Sequence, residues 1–421
     1  MPTPQARAGT SSRSGEGRTR WSFASADALC LASLRTRFRG TPVRLELWDG
    51  TTCDLSDTPP VATIRFHDRA ALVGLALRPI LGFGDAYTAG RIDVRGDLVE
   101  MLEAINRAWP ARPPARNRRR GLSARLGLPV SARDNIHHHY DLGNDFYRLW
   151  LDEDMVYTCA YFETPDATLE QAQRAKMDYV CRKLRLKPGD RVIEAGCGWG
   201  ALALHMAREF GVTVRAYNIS REQLAFARDR AGREGLADRV SFIDDDYRSI
   251  EGACDVFVSV GMLEHVGPSH YAALGRVIDR VLDRDHGRGL LHFIGRNAPA
   301  PFNPWISRHI FPGAYAPALS EVCSGVFQPW PLSIVDVENL RLHYARTLAH
   351  WLARFERHAA DVRAMFDDRF VRMWRLYLAS AEAGFASGDT QLFQVTFARS
   401  LDNALPLTRR DLYSSNGHGQ L

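Results

Sequence analysis

Val192-Ile193-Glu194-Ala195-Gly196-Cys197-Gly198-Trp199-Gly200 is the stretch that decides the fold. An apolar run ends in an acid, and three glycines follow at alternate positions. A helical pattern then runs from Ala201 to Phe210. This is a strand, a tight turn and a helix start. Glycine allows positive φ in the turn and lets a ligand come close to the backbone. The free N–H groups of the helix start favour polar or anionic ligand groups. Glu194 at the strand end suits hydroxyls or cationic groups instead.

Two cofactor chemistries compete for this turn. Gly196-Cys197-Gly198-Trp199-Gly200-Ala201 satisfies the dinucleotide pattern G-x-G-x-x-A. That pattern wants an acid about 20 residues further on for the ribose. The next strand, Val212-Thr213-Val214-Arg215-Ala216-Tyr217, runs into Asn218 instead. Glu194 before the first glycine resembles the arrangement in S-adenosylmethionine (SAM) methyltransferases. A pyrophosphate gains nothing from Glu194, whereas a sulfonium-bearing amino acid does. A turn that only packs a helix on a sheet needs neither three glycines nor the acid.

Outward from the turn, strands are expected at 191–195, 212–217, 240–243, 255–259 and 289–294. Helices lie between them, among them Arg221 to Glu234 behind the cap Ser220, and Tyr271 to Leu282. Such alternation means a parallel sheet covered on both faces. The fold class is α/β, a Rossmann-like class I methyltransferase sheet with helical lid insertions, joined to a small mixed α+β N-terminal domain. Ligands of such sheets bind at the carboxyl ends of the strands. Glu194, Asn218, Asp246 and Glu264 all follow strand ends and should ring one crevice. The proline-rich stretch 296–330 is long enough for a lid or substrate wall. Residues 334–404 show long helical patterns rich in Leu, Phe, Trp and Met. They would roof an apolar pocket, though most of these side chains read as ordinary core.

The totals bound the partners. A chain of 421 residues holds two or three domains. Apolar content of 45% and charged content of 24% are ordinary for a globular protein. A net charge of +5 favours acidic partners, lipid headgroups and nucleic acid alike. Seven cysteines without repeated spacing argue against a disulfide framework and for a reducing compartment. No apolar run reaches membrane-span length, and the polar start shows no secretory signal. The expected location is cytoplasmic, with lipid contact peripheral.

Residues 1–20 read as a disordered tail, with a transit peptide as the sharper alternative. Residues 21–109 read as a small accessory domain facing lipid or a partner. In it, Val43 to Trp48 and Val61 to Phe66 alternate as strands, and Asp68 caps a helix through Leu77. Residues 110–133 form a linker with seven arginines, from Arg112 to Arg133. It suits a solvated tether or an electrostatic foot on an anionic bilayer equally well. His137-His138-His139 is no metal site, because three consecutive side chains do not converge on one ion. A catalytic domain spans 134–405, with a tail at 406–421.

Several stretches together carry a resemblance. They are His139-Tyr140-Asp141-Leu142-Gly143-Asn144-Asp145, Tyr157-Thr158-Cys159-Ala160-Tyr161, the glycine motif, and Ser259-Val260-Gly261-Met262-Leu263-Glu264-His265-Val266-Gly267. Further on come Leu291-His292-Phe293-Ile294-Gly295, Pro304-Trp305-Ile306, Ile310-Phe311-Pro312, and Glu338-Asn339-Leu340-Arg341 with His343-Tyr344. The set resembles the cyclopropane-fatty-acyl-phospholipid synthases and the related mycolic acid methyltransferases, over about residues 134–405. The glycine motif is shared by many methyltransferases; the surroundings of Glu264 and His343-Tyr344 are far more specific.

The resemblance implies methylene transfer from SAM to a cis double bond of a phospholipid acyl chain. It implies a bound bicarbonate as base, held by Cys159, Glu264, His292, Ile294 and Tyr344. Tyr and His donate to an anion and Cys159 does so weakly; Glu264 is either protonated or accepts the bicarbonate proton. The implied cofactor set is Tyr157, Thr158, Glu194, Gly196, Gly198, Asn218, Gln223, Asp246 and Tyr247. Asn218 stands where a ribose-binding acid is commoner. Asp246 would accept from the adenine amino group and Tyr247 would stack on the ring. Taken singly, Cys159, His292 and Tyr344 are ordinary core residues. The family often carries a cysteine in its late helix; here Ala381 stands in that place, so a covalent cysteine at this site is excluded.

The alternatives are a C-methyltransferase giving methyl-branched or methylene chains, and a lipid-binding protein with a decayed cofactor fold. Nucleic-acid methylation is disfavoured, because the fourth strand ends in Ser259-Val260-Gly261-Met262 and not in Asn-Pro-Pro-Tyr. The partners expected are unsaturated phospholipid acyl chains and an anionic membrane surface; a homodimer stays open.

Overall fold

The computed structural model describes residues 23–108 and 142–413. The expected tail at 1–20, the basic linker at 110–133, the His137-His138-His139 run and residues 414–421 lie outside them.

The N-terminal part is built on four short strands, β1 (Val43–Glu46), β2 (Thr52–Asp54), β3 (Ala62–Phe66) and β4 (Ile92–Gly96). Their order is β2-β1-β3-β4, with β1 and β3 parallel and the outer pairs antiparallel. Alternate residues such as Val43, Leu45, Ile64 and Phe66 point inward, as the period of two requires. Asp68 caps the helix Arg69–Leu77, accepting from the Ala71 N–H at 3.0 Å. The glycine-rich stretch that follows is the helix Pro79–Thr88. Its Gly82 lets two helices cross closely: a Cβ there would lie 2.2 Å from the Gly74 carbonyl oxygen.

The larger sheet has seven strands. They are β5 (Arg191–Ala195), β6 (Thr213–Asn218), β7 (Val240–Asp244), β8 (Val256–Val260), β9 (Arg288–Gly295), β10 (Leu332–Asn339) and β11 (Gln391–Arg399). The order is β10-β11-β9-β8-β5-β6-β7. Strands β5 to β9 are parallel, and β11 runs antiparallel to both β9 and β10. The chain reverses its walk across the sheet between β5 and β8. That switch point is where a crevice opens at the carboxyl ends.

One expectation needs correcting. Residues 334–404 are not helical throughout: β10 and β11 frame the helices Arg341–Arg357 and Asp368–Ser387. All nine residues of β11 are buried. A short, fully buried strand has no alternating pattern to separate it from a buried helix. The sheet is therefore mixed, with a parallel core and an antiparallel edge pair.

The two parts are tied together. Arg372 donates to the Tyr87 and Ile92 carbonyls at 2.5 and 2.6 Å, and to Asp93 at 3.0 Å. His309 meets Asp85 at 2.9 Å. Gly84 leaves room for the Trp305 ring, which a Cβ would approach to 2.3 Å.

Candidate active site

Gly196, Gly198 and Gly200 all take positive φ, at 84°, 53° and 84°. The first and third are also closely packed. A Cβ on Gly196 would meet Met262 at 2.9 Å, and one on Gly200 would meet Phe242 at 2.6 Å. Gly198 has nothing within 4 Å on that side, so the middle of the turn faces open space. The Gly196 and Cys197 N–H groups donate to the Tyr217 carbonyl on β6.

Asn218 and Gln223 brace the turn. The Asn218 amide donates to the Gly198 carbonyl at 3.2 Å and to Gln223 Oε1 at 2.8 Å, and accepts from the Ile219 N–H at 2.8 Å. Asp246, after β7, accepts from the Arg248 N–H and pairs with the Arg248 guanidinium at 2.7 Å. Burial pushes its carboxyl up, but the Arg248 bonds win and hold it below the usual range. Tyr247 beside it has its phenol pushed up to about 12 by burial, so it is a neutral donor.

Glu194 is buried at the end of β5, and burial raises its pKa to about 7 against the pull of Lys176. Its Oε2 has no hydrogen-bond partner among the described residues. A buried carboxylate oxygen without a partner is uncommon and can accept from a ligand's donor group. Lys176 went unread in the sequence. It lies on the helix Leu169–Leu184, is 2% exposed, and donates to Thr158 Oγ1 at 3.0 Å. Burial lowers its pKa to about 8, against the pull of Asp152, Cys159 and Glu194. A signal existed: Lys176 and Lys183 fall seven residues apart, on the same helix face as Ala172, Met177 and Leu184.

A cavity of 1290 Å³ is lined on one side by Tyr157, Thr158 and Cys159 and by Gly261, whose neighbour Met262 packs on Gly196; Glu194, Gly196, Gly198, Asn218, Gln223, Asp246 and Tyr247 do not line it. The segment that starts at Tyr157 is pinned to the helix Arg341–Arg357. The Ala160 N–H donates to Thr347 Oγ1 and the Phe162 N–H to His343 Nδ1, both at 3.0 Å. Glu264, His292, Ile294 and Tyr344 stand on the same wall. Residues spread over 185 positions therefore line one cavity. Cys159 is fully buried and its thiol is pushed far up by burial, so it is a neutral S–H. Burial raises the Glu264 carboxyl to about 7. Its Oε1 accepts from the Ile294 N–H at 2.5 Å, while Oε2 has no partner among the described residues. Tyr344 packs its ring on Phe385 at 4.5 Å.

The His292 tautomer follows from a chain of contacts. Lys183 sits between Glu338 and Gln394 and donates to Gln394 Oε1 at 2.7 Å. A lysine ammonium has no acceptor, so the Gln394 orientation is set. Its Nε2 then donates to His292 Nδ1 at 3.1 Å. Burial, aided by the charges of Lys176 and Lys183, keeps the imidazole neutral. His292 therefore carries its proton on Nε2. The wall combines neutral donors with one buried carboxyl that changes protonation near neutral pH. That set suits a small oxyanion.

The rest of the cavity mixes aliphatic and aromatic side chains with some polar ones, and much of it belongs to the N-terminal part. Leu45, Ile64 and Leu75 from that core line the same space as His292 and Tyr344. From its sequence this region carries no evident chemistry and no role beyond facing lipid or a partner.

The comparisons agree with this architecture. The family model for mycolic acid cyclopropane synthetase matches residues 129–395, and a domain of unknown function matches residues 31–109. A Pseudomonas putida protein named probable fatty acid methyltransferase is 38% identical over 390 residues, which is 88% of this chain and 96% of its own. The cyclopropane-fatty-acyl-phospholipid synthase of Escherichia coli strain K12 is 40% identical over 272 residues, 64% of this chain and 69% of its own. A solved mycolic acid cyclopropane synthase, complexed with SAH and CTAB, superposes with a TM-score of 0.60 at 29% identity, over 63% of this chain and 98% of its own. The chain belongs to the mycolic acid cyclopropane synthetase family.

Proposed function

We propose that this SAM-dependent, lipid-modifying methyltransferase adds a methylene group to the cis double bond of an unsaturated phospholipid acyl chain and closes a cyclopropane ring. The observation that carries this function is one cavity lined by Cys159, Glu264, His292 and Tyr344 together with many aliphatic and aromatic side chains. An alkene is a weak nucleophile, so it needs the sulfonium methyl held close to it with water excluded. Attack of the alkene on that methyl breaks the methyl–sulfur bond, releases S-adenosylhomocysteine and leaves a carbocation; loss of a proton from the new methyl to the base closes the ring.

The donor's place is the turn with the unpartnered Glu194 Oε2 and the open side of Gly198. Tyr157, Thr158, Gly196, Asn218, Gln223, Asp246 and Tyr247 complete the proposed set, with Asn218 and Gln223 shaping the turn. Cys159, Glu264, His292, the Ile294 backbone and Tyr344 are proposed to hold bicarbonate, which would supply the base. The unpartnered Glu264 Oε2 fits such a group. Their own work is to offer the His292 Nε2–H and the Tyr344 O–H to the anion, while the Ile294 N–H holds Glu264 in place.

A second function has support of its own. The Pseudomonas putida relative is named for fatty acid methylation, and Ala381 lines the cavity where the family often has cysteine. A redirected proton loss would give a methylene or methyl-branched chain. Expression in a host without cyclopropane lipids, followed by lipid NMR, tests both. Cyclopropyl proton resonances are expected; new branched chains without them select the second function, and unchanged lipids overturn both. Peripheral contact with the inner face of the cell membrane belongs to the same proposal. No helix among the described residues is long and apolar enough to cross a membrane.

A further inference from the structure

The mouth of the cavity carries side chains that water does not favour. Leu77, at the end of the helix Arg69–Leu77, is 73% exposed, and Ile80, at the start of the next helix, is 45% exposed. Leu29, on the helix Phe23–Arg37, is 63% exposed. Leu29 and Ile80 also line the cavity, so its apolar interior continues onto the surface here. Single exposed leucines are ordinary, but a cluster around an opening marks a contact site.

Cations frame the cluster. Arg78 lies between Leu77 and Ile80 in sequence. Arg37 donates to the Ala76 carbonyl at 3.2 Å, which holds its guanidinium at the same corner. Among the described residues neither arginine forms an ion pair with a carboxylate. Aliphatic side chains flanked by free cations complement an anionic bilayer, whose surface attracts the charge and whose interior takes the aliphatic groups.

We propose that this corner, formed by Leu29, Arg37, Leu77, Arg78 and Ile80, docks on an anionic lipid bilayer and admits the acyl chain directly from it to the cavity. This rests on the lipid function above and adds where the membrane is met. The occupant is a bilayer rather than a second copy of the chain, because the apolar cluster is continuous with the cavity and its rim is basic.

The test uses the full chain and two variants, Leu77→Asp and Arg78→Glu, neither of which lines the cavity. Sedimentation with vesicles of unsaturated phosphatidylcholine and phosphatidylglycerol should show binding weakened about tenfold in each variant. Turnover on those vesicles should fall in parallel. Turnover of the same lipids dispersed in detergent micelles should stay within about twofold, with SAM affinity by calorimetry unchanged. Vesicle binding equal to the parent in both variants overturns the docking surface while micellar turnover leaves the function standing. Variants that change from dimer to monomer on a sizing column, with vesicle binding intact, overturn it in favour of a chain-to-chain interface. If the parent turns over neither micelles nor vesicles, the lipid function falls, and the vesicle sedimentation still decides the surface. Should one variant not fold, the other carries the same comparison.

Discussion

The two ends of the cavity are built on opposite terms. The end under β8 and β9 presents Glu264 and His292, with Lys176 and Glu194 buried behind that wall, all with shifted protonation. The end under the four-stranded sheet presents mainly apolar side chains such as Leu45, Ile64 and Leu75, with Arg37 as its charged group. Burying ionisable groups costs stability and is tolerated where chemistry needs them. Burying aliphatic surface around a cavity selects ligands by length and apolarity. The difference assigns reaction to one end and recognition to the other.

Substitutions at the two ends should therefore fail differently. The largest effect is expected from Glu264→Gln and Tyr344→Phe, which should lower kcat by about 100-fold or more while calorimetry shows SAM affinity unchanged. Unaltered turnover in both variants would dissolve the distinction between the ends. Next, Ile105 lines the cavity on the side of the N-terminal part, and Ile105→Trp should raise KM for long-chain lipids by about tenfold and leave kcat near its parent value. An equal fall in kcat would mean that this end takes part in the reaction step.

A smaller effect is expected from Gln394→Leu, which frees His292 to exchange tautomers. Turnover should fall by about fivefold to tenfold, and nitrogen NMR should show the Nε2–H signature of His292 giving way to a mixture. Lost activity with an unchanged imidazole spectrum would count against the positioning role.

The smallest effect is in stability. Burial raises the Glu264 carboxyl from 4.5 to about 7. The folded chain then keeps a proton that the unfolded chain releases, so this group makes stability fall as pH rises from about 4.5 to about 7. Glu264→Gln should flatten the Tm profile across that window by about 2–4 °C. An identical slope in parent and variant would show that the carboxyl is not desolvated.

How much was legible depended on how local each signal was. The glycine turn and the Asp68 cap are written in adjacent residues, and the structure has both. The helix Leu169–Leu184 begins with a Thr168 and Gln171 capping box and ends where the pattern stops. Strand β11 lacks alternation because it is buried on both faces, and β10, largely at the surface, shows no regular in–out alternation either. Lys176 was overlooked although it lies on the apolar face of a helix. Gln394 carried no local mark at all, since its partners His292 and Lys183 lie 102 and 211 positions away.

The sequence by itself determined the parallel sheet, the turn and the family, because these follow from periodicity and from residues that must be contiguous. Only the tertiary structure decided that the N-terminal core and the catalytic wall enclose one space, and which nitrogen of His292 bears the proton. Both are properties of side chains brought together from distant segments, and no local pattern encodes which distant surfaces meet.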